Sequence, residues 1–107
     1  LCGSTKFRKE YEEMNRRLSK CGHIVYSVSC FGNSGDKLTA DEKEMLDLVH
    51  LKKIDNSDAI VVLNVNGYVG SSTKNEIRYA RKYKKKIFWL FPYGEEHNLV
   101  PNKEQNM

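Results

Sequence analysis

One glutamate close to the start of a predicted helix is the strongest candidate for chemistry in this sequence. Glu76 follows an apolar run at 59–63 that is rich in β-branched residues, and then a polar loop that contains Gly67 and Gly70. Such a run is typical of a strand covered on both faces, and the hydroxyl residues at 71–73 can begin a helix. Open α/β sheets bind ligands, especially anions, where a strand end leads into a helix N-terminus, so Glu76 is predicted to face a ligand crevice.

Glu76 also has a purely structural interpretation. Thr73 and Glu76 have the spacing of a capping box, in which the glutamate side chain accepts a hydrogen bond from the backbone N–H of the first residue. On a helix, however, Glu76 lies on the same face as Ala80 and Tyr83, which the pattern directs towards the sheet. A glutamate that is merely solvated would more often point away, so this placement favours a functional role.

Further ionisable residues occur on a second predicted helix and just after it. Asp47 and His50 lie one helical turn apart, so the carboxylate could orient the imidazole for acid–base catalysis, although a structural or exposed histidine is the simpler interpretation. Asp55 and Asp58 form an Asp-x-x-Asp pair before the apolar run at 59–63. A helix end followed by a turn accounts for Asp58, whereas Asp55 stays a candidate for proton transfer.

Small hydroxyl residues could hold a phosphate. Ser4, Ser71 and Ser72 lie at the starts of two predicted helices, where side chains and backbone N–H groups can bind an anion or simply cap the helix. The sequence contains no Gly-x-x-x-x-Gly-Lys-Ser/Thr motif, which excludes a Walker-type NTPase. Gly3 lacks the further glycines of the dinucleotide fingerprint. We therefore expect no bound cofactor.

The composition is that of one small globular domain. The chain has 107 residues, 39% hydrophobic and 30% charged, and a net charge of +4. Basic residues concentrate at 74–86, which could indicate a nucleic-acid surface. A solvated helix face with cations at its C-terminal end is the favoured interpretation, because no aromatic residues alternate with these cations on an exposed strand. No apolar run reaches the roughly 18 residues that span a membrane, so no membrane partner is expected.

Cysteine and histidine usage gives no metal signature. The 3 cysteines and 3 histidines are scattered along the chain, without the paired spacing of zinc sites. An odd number of cysteines with no evident pairing is typical of reduced thiols. We therefore expect a cytoplasmic protein without a metal site.

Periodicity predicts strands that alternate with helices. One predicted strand ends at residue 3, and three more cover 23–28, 59–63 and 86–91. The predicted helices cover 6–21, 40–56 and 72–83. This alternation indicates an α/β fold, with a parallel sheet wrapped by helices through right-handed crossovers. Residues 1–93 are predicted to form a single domain, and 94–107 a polar tail.

The helix patterns also predict caps and buried faces. Ser4 or Thr5 is expected to cap the first helix, and Thr39 to begin the second through a capping box with Glu42. Cys21 falls on the apolar stripe of the first helix. The residues of the second helix expected to point inward are Met45, Leu46, Val49 and Ile54.

Four blocks of the sequence carry a family resemblance. The blocks are Leu1-Cys2-Gly3-Ser4, Phe31-Gly32-Asn33-Ser34-Gly35-Asp36, His50-Leu51-Lys52-Lys53-Ile54-Asp55-Asn56-Ser57-Asp58 and Asn64-x-Asn66-Gly67-Tyr68-x-Gly70-x-Ser72-Thr73-x-x-Glu76-Ile77-x-Tyr79-Ala80. Together they resemble the nucleoside 2-deoxyribosyltransferase superfamily, in particular its small deoxyribosyltransferase-like branch. The last block is the most specific, and the resemblance extends from Leu1 to about Pro92.

The resemblance implies a fold, a reaction and an assembly. The fold would be a flavodoxin-like (Rossmann-like) three-layer sandwich with a parallel sheet of four to five strands. Glu76 would be the nucleophile that attacks the anomeric carbon of a deoxyribosyl group, as in retaining glycosyl transfer. Related hydrolases act on nucleoside 5′-monophosphates, whose phosphate Ser4, Ser71 or Ser72 would bind. The superfamily also implies a homodimer or larger homo-oligomer.

The implied substrate-binding residues come from all but one of these blocks and from the second predicted strand. They are Gly3, Ser4, Tyr26, Phe31, Asn64, Asn66, Gly67, Tyr68, Gly70, Ser71 and Ser72. Of these, Tyr26, Phe31 and Tyr68 could pack the base, although ordinary core or loop packing explains each equally well.

The sequence departs from the superfamily where the leaving base is handled. His50 and Gly70 stand at positions where characterised transferases have carboxylates. The acid that handles the base is therefore absent, replaced by His50, or supplied by Asp47. We expect cleavage or transfer at the N-glycosidic bond of a nucleoside or nucleotide. The alternatives are a non-catalytic nucleotide-binding or sensing module, a nucleic-acid-binding protein that uses residues 84–86, and a subunit-interface protein.

Overall fold

Helices and a small parallel sheet form the part of the chain that the structure describes. This computed structural model describes residues 1–28 and 38–92 and the backbone of 97–98. The elements are α1 (Arg8–Lys20), α2 (Ala40–Asp55), β1 (Ala59–Val62), a 3-10 helix (Val65–Gly67), α3 (Ser71–Lys82), β2 (Lys86–Trp89) and β3 (His97–Asn98). Among these residues, no helix is both long and apolar enough to cross a membrane. Phe31 and most of the predicted tail lie outside the described residues.

The sheet pairs its described strands in parallel. β1 pairs with β2, and β2 pairs with β3, while Cys2 forms a single parallel bridge with Val62. The Cys2 N–H donates to the Val61 carbonyl at 2.9 Å, and the Leu63 N–H donates to the Cys2 carbonyl at 2.7 Å. The predicted α/β fold with a parallel sheet is therefore present, and the described sheet is smaller than the four to five strands predicted.

The prediction of a strand at 23–28 is wrong. The structure assigns no regular secondary structure to these residues. The Leu1 nitrogen donates to the Tyr26 carbonyl at 2.7 Å, and Lys53 Nζ donates to the Ser27 carbonyl at 2.7 Å. These are single contacts and not the repeated N–H···O=C pairs of a ladder. Ile24, which the alternation would bury, is 88% exposed.

The core consists of two apolar clusters to which successive residues of β1 contribute in turn. Ile60 and Val62 belong to the cluster that includes α2 and α3, whereas Val61 and Leu63 belong to the cluster that includes α1. This alternation is the side-chain pattern of a strand, so helices cover the sheet from both faces. The buried members are Cys2, Ile54, Ile60, Val62, Ile77, Ala80, Ile87 and Trp89 in the first cluster, and Tyr11, Met14, Leu63 and Leu90 in the second.

One predicted helix cap is confirmed and another is wrong. Thr39 and Glu42 form the predicted capping box at the start of α2. α1 begins after Phe7, where no side chain caps the helix, so capping by Ser4 or Thr5 is wrong. The Ser4 carbonyl instead accepts a hydrogen bond from the Phe7 N–H at 3.0 Å, which forms a turn before the helix.

Three residues predicted to face the interior are exposed. Tyr83, which was expected to face the sheet, lies just beyond the end of α3 and is 50% exposed. Cys21 lies just beyond the end of α1 and is exposed, and Met45 on α2 is 58% exposed. A helix buries only the stripe that meets a neighbouring element, and α2 packs chiefly against α3. Ile54 is buried as predicted, at 3% exposure, while Leu46 and Val49 are half-buried.

Candidate functional site

A cavity of about 470 Å³ lies where the segment after Cys2, helix α2 and the first turns of α3 meet. We call it the α2–α3 cavity. Its lining residues are Gly3, Ser4, Thr5, Val28, Leu38, Lys43, Leu46, Asp47, His50, Lys53, Tyr68, Gly70, Ser71, Ser72, Thr73 and Glu76. The predicted site residues that the structure brings together here are Gly3, Ser4, Asp47, His50, Tyr68, Gly70, Ser71, Ser72 and Glu76.

Glu76 lies on the wall of this cavity and not in a capping box. α3 begins at Ser71, directly after its N-cap residue Gly70. Thr73 is therefore already the third residue of the helix and cannot serve as the N-cap that the capping box requires. The Glu76 side chain is only 14% exposed. The capping-box interpretation of Glu76 is wrong.

Glu76 belongs to a buried polar cluster with Cys2 and His50. The His50 Nε2 atom lies 3.4 Å from Cys2 Sγ and 3.8 Å from Glu76 Oε1. The ligand atoms of all three residues lie within 4.8 Å of one another. Since 3.8 Å is longer than a hydrogen bond, His50 and Glu76 are in close contact without a hydrogen bond between them. We call these three residues the Cys–His–Glu cluster.

Burial shifts the pKa of each member of the cluster towards its neutral form. It raises the pKa of Glu76 to about 7, raises that of Cys2 to about 12 and lowers that of His50 to about 4. The physical cause is loss of solvation, which disfavours the charged form of each group. At neutral pH the imidazole and the thiol are uncharged, and Glu76 is divided between its acid and carboxylate forms. The His50–Glu76 contact is therefore not an ion pair at this pH.

Two oppositely charged residues on α2 also line the cavity. Lys43 Nζ lies 3.2 Å from Asp47 Oδ2, and the side chains are 60% and 53% exposed. Such an exposed pair contributes little to stability, so either group can exchange its partner for a ligand. After burial, the Asp47 charge is the next influence that raises the pKa of Glu76. The two carboxyl groups therefore interact electrostatically.

The N-terminus of α3 opens into the α2–α3 cavity. No side chain caps this helix end, and Ser71 and Ser72 are exposed. The N–H groups of a first helical turn have no partner within the helix, and the helix dipole favours a negative charge beside them. The arrangement is chemically suited to a phosphate or another anion.

An aromatic residue lies beside this helix end. Tyr68 lines the cavity and is 46% exposed. Lys6 Nζ lies 3.7 Å from the centre of the Tyr68 ring, and the Phe7 ring meets it edge-on with ring centres 6.0 Å apart. These two contacts hold the ring, and its exposed part can pack against a planar ligand.

Asp55 and Tyr26 do not line the α2–α3 cavity. Asp55 ends α2, where its Oδ1 atom accepts a hydrogen bond from the Tyr79 hydroxyl at 2.7 Å and its carbonyl accepts one from Lys85 Nζ at 3.2 Å. Tyr26 borders a second cavity of about 660 Å³, which Cys2 also lines. The structure therefore separates Asp55 from the predicted nucleophile and Tyr26 from the α3 N-terminus.

Asn64, Asn66 and Gly67 shape the loop that leads into α3 and do not line the cavity. The Asn64 side chain is held by two hydrogen bonds to the backbone of Phe91. Asn66 and Gly67 have φ angles of 55° and 82°, in the left-handed region that asparagine and glycine adopt most readily. These residues influence the site by setting the backbone conformation of the loop that precedes α3.

Sequence reasoning missed several residues at this site. Lys43 precedes Asp47 by one helical turn, a spacing from which it could have been found. Thr73 is 3% exposed and was considered only as a cap. The other missed lining residues are Thr5, Val28, Leu38, Leu46 and Lys53. Nothing in the sequence indicated that Cys2 belongs to the site, apart from its position before Gly3. Its thiol lies beside His50 because Cys2 pairs with Val62 in the folded chain.

A family match covers most of the chain. No curated protein and no solved structure matches the sequence. Residues 1–89 match the family described as "Domain of unknown function (DUF4406)". This match includes the Cys–His–Glu cluster and every residue that lines the α2–α3 cavity. The chain therefore belongs to the DUF4406 family.

Proposed function

We propose that this protein cleaves or transfers at the N-glycosidic bond of a nucleoside or nucleoside 5′-monophosphate, with Glu76 as nucleophile. The proposal rests on the resemblance to nucleoside 2-deoxyribosyltransferases and on one structural observation. That observation is the position of Glu76, largely buried on the wall of a cavity that also receives the uncapped N-terminus of α3. A carboxylate and an anion-binding helix end in one space suit a phosphorylated sugar.

The proposed reaction has two displacement steps at one carbon atom. A Glu76 carboxylate oxygen bonds to C1′ of the sugar, while the bond from C1′ to the base nitrogen breaks and its electron pair leaves with the base. A proton reaches the departing base from an acid or from water. Water or a second base then attacks C1′ and gives up a proton to a general base or to solvent. The bond from C1′ to the Glu76 oxygen breaks and releases the carboxylate, which gives net retention of configuration.

Asp47 is the residue that we propose for proton transfer to and from the base. It lines the α2–α3 cavity with Glu76 and influences the pKa of that residue. His50 is less suited to donate a proton, because burial lowers its pKa to about 4. We propose instead that neutral His50 helps to position Glu76 by packing against it, with His50 Nε2 3.8 Å from Glu76 Oε1. Asp55 has no part in this scheme, since Tyr79 and Lys85 engage it elsewhere.

The rest of the cavity would hold the remainder of the substrate. Ser71, Ser72 and the first N–H groups of α3 would bind the 5′-phosphate together with Ser4, and the Lys43 ammonium would supply positive charge. Tyr68 would pack against the sugar or the base. This assignment is supported by the shared lining of one cavity.

The test is release of free base from a panel of ribo- and deoxyribonucleosides and their 5′-monophosphates. We expect the wild-type chain to release base from at least one member. Glu76→Gln keeps the size of the side chain but removes the nucleophilic oxygen, so it should reduce turnover by at least about 1,000-fold. Glu44→Gln, an exposed position on α2, is the matched control and should leave turnover unchanged.

Binding without turnover would identify the alternative function. If members of the panel bind to the wild type but none yields free base, the catalytic proposal fails for these substrates. A non-catalytic nucleotide-binding or sensing module that retains the cavity would then account for the binding. Equal turnover by wild type and Glu76→Gln would exclude Glu76 as nucleophile.

The resemblance also supports proposals about assembly and location. We propose a homodimer or larger homo-oligomer in the cytoplasm, with small-molecule nucleosides or nucleotides as its ligands and nucleic acid not among them. Sedimentation equilibrium of the purified chain tests the assembly, because a mass of one chain at micromolar concentration contradicts it.

A further inference from the structure

We propose that Cys2, His50 and Glu76 form a binding site for Zn²⁺. Their ligand atoms all lie within 4.8 Å of one another. Cys2 and His50 are buried and Glu76 is largely buried, unlike the exposed acidic groups that often gather on protein surfaces. This inference does not depend on the proposed glycosidic reaction, and it assigns a second property to the same wall of the cavity.

The distances between the ligand atoms fit a tetrahedral zinc ion. With Zn–S near 2.3 Å and with Zn–N and Zn–O near 2.0 Å, tetrahedral angles place sulfur about 3.5 Å from nitrogen or oxygen, and nitrogen about 3.3 Å from oxygen. The observed separations are 3.4 Å from Cys2 Sγ to His50 Nε2 and 3.8 Å from His50 Nε2 to Glu76 Oε1. The third separation, from Cys2 Sγ to the Glu76 oxygen, lies within 4.8 Å, and rotation of these side chains would draw the ligand atoms together to complete the site.

Each ligand is held by a different element. Cys2 is fixed beside β1 by two backbone hydrogen bonds, to Val61 at 2.9 Å and from Leu63 at 2.7 Å. His50 projects from α2 and Glu76 from α3, and these two helices pack on each other. The geometry is therefore largely formed before metal binds, which reduces the ordering cost of coordination.

The set of donor atoms selects the kind of metal. A thiolate and an imidazole favour Zn²⁺ over Mg²⁺ or Ca²⁺, which prefer oxygen ligands. Three protein ligands leave the fourth tetrahedral position for water, as in zinc sites that are not closed. His50 and Glu76 line the α2–α3 cavity, so a metal ion and its water can reach the site from that side.

Metal binding involves a defined change in protonation. The Cys2 thiol transfers its proton to solvent, and its sulfur lone pair forms the Zn–S bond. Glu76 binds as its carboxylate, and neutral His50 binds through Nε2 when Nδ1 carries the ring proton. Because the thiol must lose its proton to bind the ion, affinity should rise with pH.

A bound ion would also occupy the carboxylate that the proposed reaction needs. A Glu76 oxygen that coordinates Zn²⁺ cannot attack C1′, so zinc would act as an inhibitor of glycosidic turnover. Removal of zinc by a chelator should then restore activity. This consequence is separate from metal binding itself, which is measured without any substrate.

The experiment is a Zn²⁺ titration of the untagged full chain after treatment with EDTA and its removal. Isothermal calorimetry with a competing chelator should give one ion per chain, and Mg²⁺ should give no binding. Cys2→Ser should weaken Zn²⁺ affinity by more than about 100-fold, since even indirect partners of metal ligands contribute 10–100-fold. Cys21→Ser removes an exposed thiol and is the matched control, with unchanged affinity.

Cobalt spectroscopy provides a second measurement that identifies the ligands. Co²⁺ in the site should give a sulfur-to-cobalt charge-transfer band in wild type and Cys21→Ser, and none in Cys2→Ser. If Cys2→Ser does not fold by circular dichroism, His50→Gln and Glu76→Gln serve in its place, with the same loss of affinity expected. A dissociation constant weaker than about 1 µM for wild type, or full affinity in folded Cys2→Ser, overturns the proposal.

Discussion

The Asn64 side chain forms hydrogen bonds with both the backbone N–H and the carbonyl group of Phe91. Its Nδ2 atom donates to the Phe91 carbonyl at 3.1 Å, and the Phe91 N–H donates to its Oδ1 atom at 2.9 Å. Asn64 follows β1 by two residues and Phe91 follows β2 by two. The amide thus continues the pairing of the two strands beyond their last ladder hydrogen bond, at the edge of the sheet where the loop towards α3 begins.

Replacement of Asn64 by leucine should destabilise the protein. The variant keeps the volume but leaves the N–H and carbonyl of Phe91 without their partner, which costs about 2–4 kcal/mol of unfolding free energy for two lost hydrogen bonds. Urea denaturation followed by circular dichroism measures this change. Asn75→Ala, at an exposed position on α3, should cost less than about 0.5 kcal/mol. Equal stability of the Asn64 variant and wild type would contradict the role assigned to this amide.

A pair of glycine substitutions tests the close approach of the first segment to β1. A Cβ atom on Gly3 would lie 3.0 Å from the Leu63 carbonyl oxygen and 3.1 Å from its Cβ atom. Gly3→Ala should therefore destabilise the protein by about 1–3 kcal/mol, as overpacking does. A Cβ atom on Gly70 would lie 3.5 Å from the Tyr68 hydroxyl, an ordinary contact, so Gly70→Ala should be tolerated. The difference in melting temperature between the two variants is the measurement.

If Glu76 is the nucleophile of the proposed glycosidic reaction, its ionisation should give that activity a rising pH profile. The nucleophile must be a carboxylate, and burial raises the pKa of Glu76 to about 7. Turnover of the metal-free enzyme should therefore increase as pH rises through about 7 and level off above it. Initial rates between pH 5 and 9 in the presence of EDTA provide the test. A rate that is already maximal at pH 5 would show that Glu76 ionises at its ordinary pKa.

The same group should make the folded state less stable as it ionises. Because the pKa of Glu76 is higher in the folded protein than the ordinary value of 4.5, the folded state holds its proton between pH 4.5 and about 7 while the unfolded state loses it. The proton retained by Glu76 in the folded state therefore adds to the free energy of unfolding. This contribution, up to about 3 kcal/mol, is complete below pH 4.5 and is lost as pH rises through about 7. Glu76→Gln should remove this loss, which unfolding curves at pH 5 and pH 8 would reveal by comparison with wild type.

Lys43 should distinguish nucleoside monophosphates from nucleosides. If its ammonium contacts the 5′-phosphate, Lys43→Gln should weaken monophosphate binding by about tenfold, the effect of losing roughly 1.5 kcal/mol, and leave nucleoside binding unchanged. Calorimetry with both ligands gives the comparison. Lys52→Gln changes an exposed lysine on the same helix that does not line the cavity and is the matched control. Equal weakening of both ligands by Lys43→Gln would place the phosphate elsewhere.

Local sequence patterns located most helices and strands well. The apolar runs and helix signals at 40–56, 59–63, 72–83 and 86–91 match α2, β1, α3 and β2 to within two residues at each end. Hydrophobic periodicity and the capping box at Thr39 act within one element, and such short-range information is present in the sequence itself. The strand at 23–28 failed because pairing requires a neighbouring backbone, which alternation of side chains cannot provide.

For the candidate site, the sequence determined the residue types and their elements. Glu76 was placed on a helix after a strand end, with Ser71 and Ser72 at its start, from local patterns and a family resemblance. Glu76 caps its own helix only if Thr73 is the N-cap residue, which is three residues after the observed N-cap, Gly70. The local pattern does not distinguish these two helix starts. The observed start at Ser71 settled the question.

Only the tertiary structure brought Cys2, His50 and Glu76 together. They are far apart along the chain, lie on three different elements and lack the close spacing by which a metal-binding or catalytic motif is recognised. Their proximity results from the bridge of Cys2 to β1 and from the packing of α2 on α3. Burial in that arrangement also fixes their protonation, because desolvation is a property of the folded surroundings and not of the residues themselves.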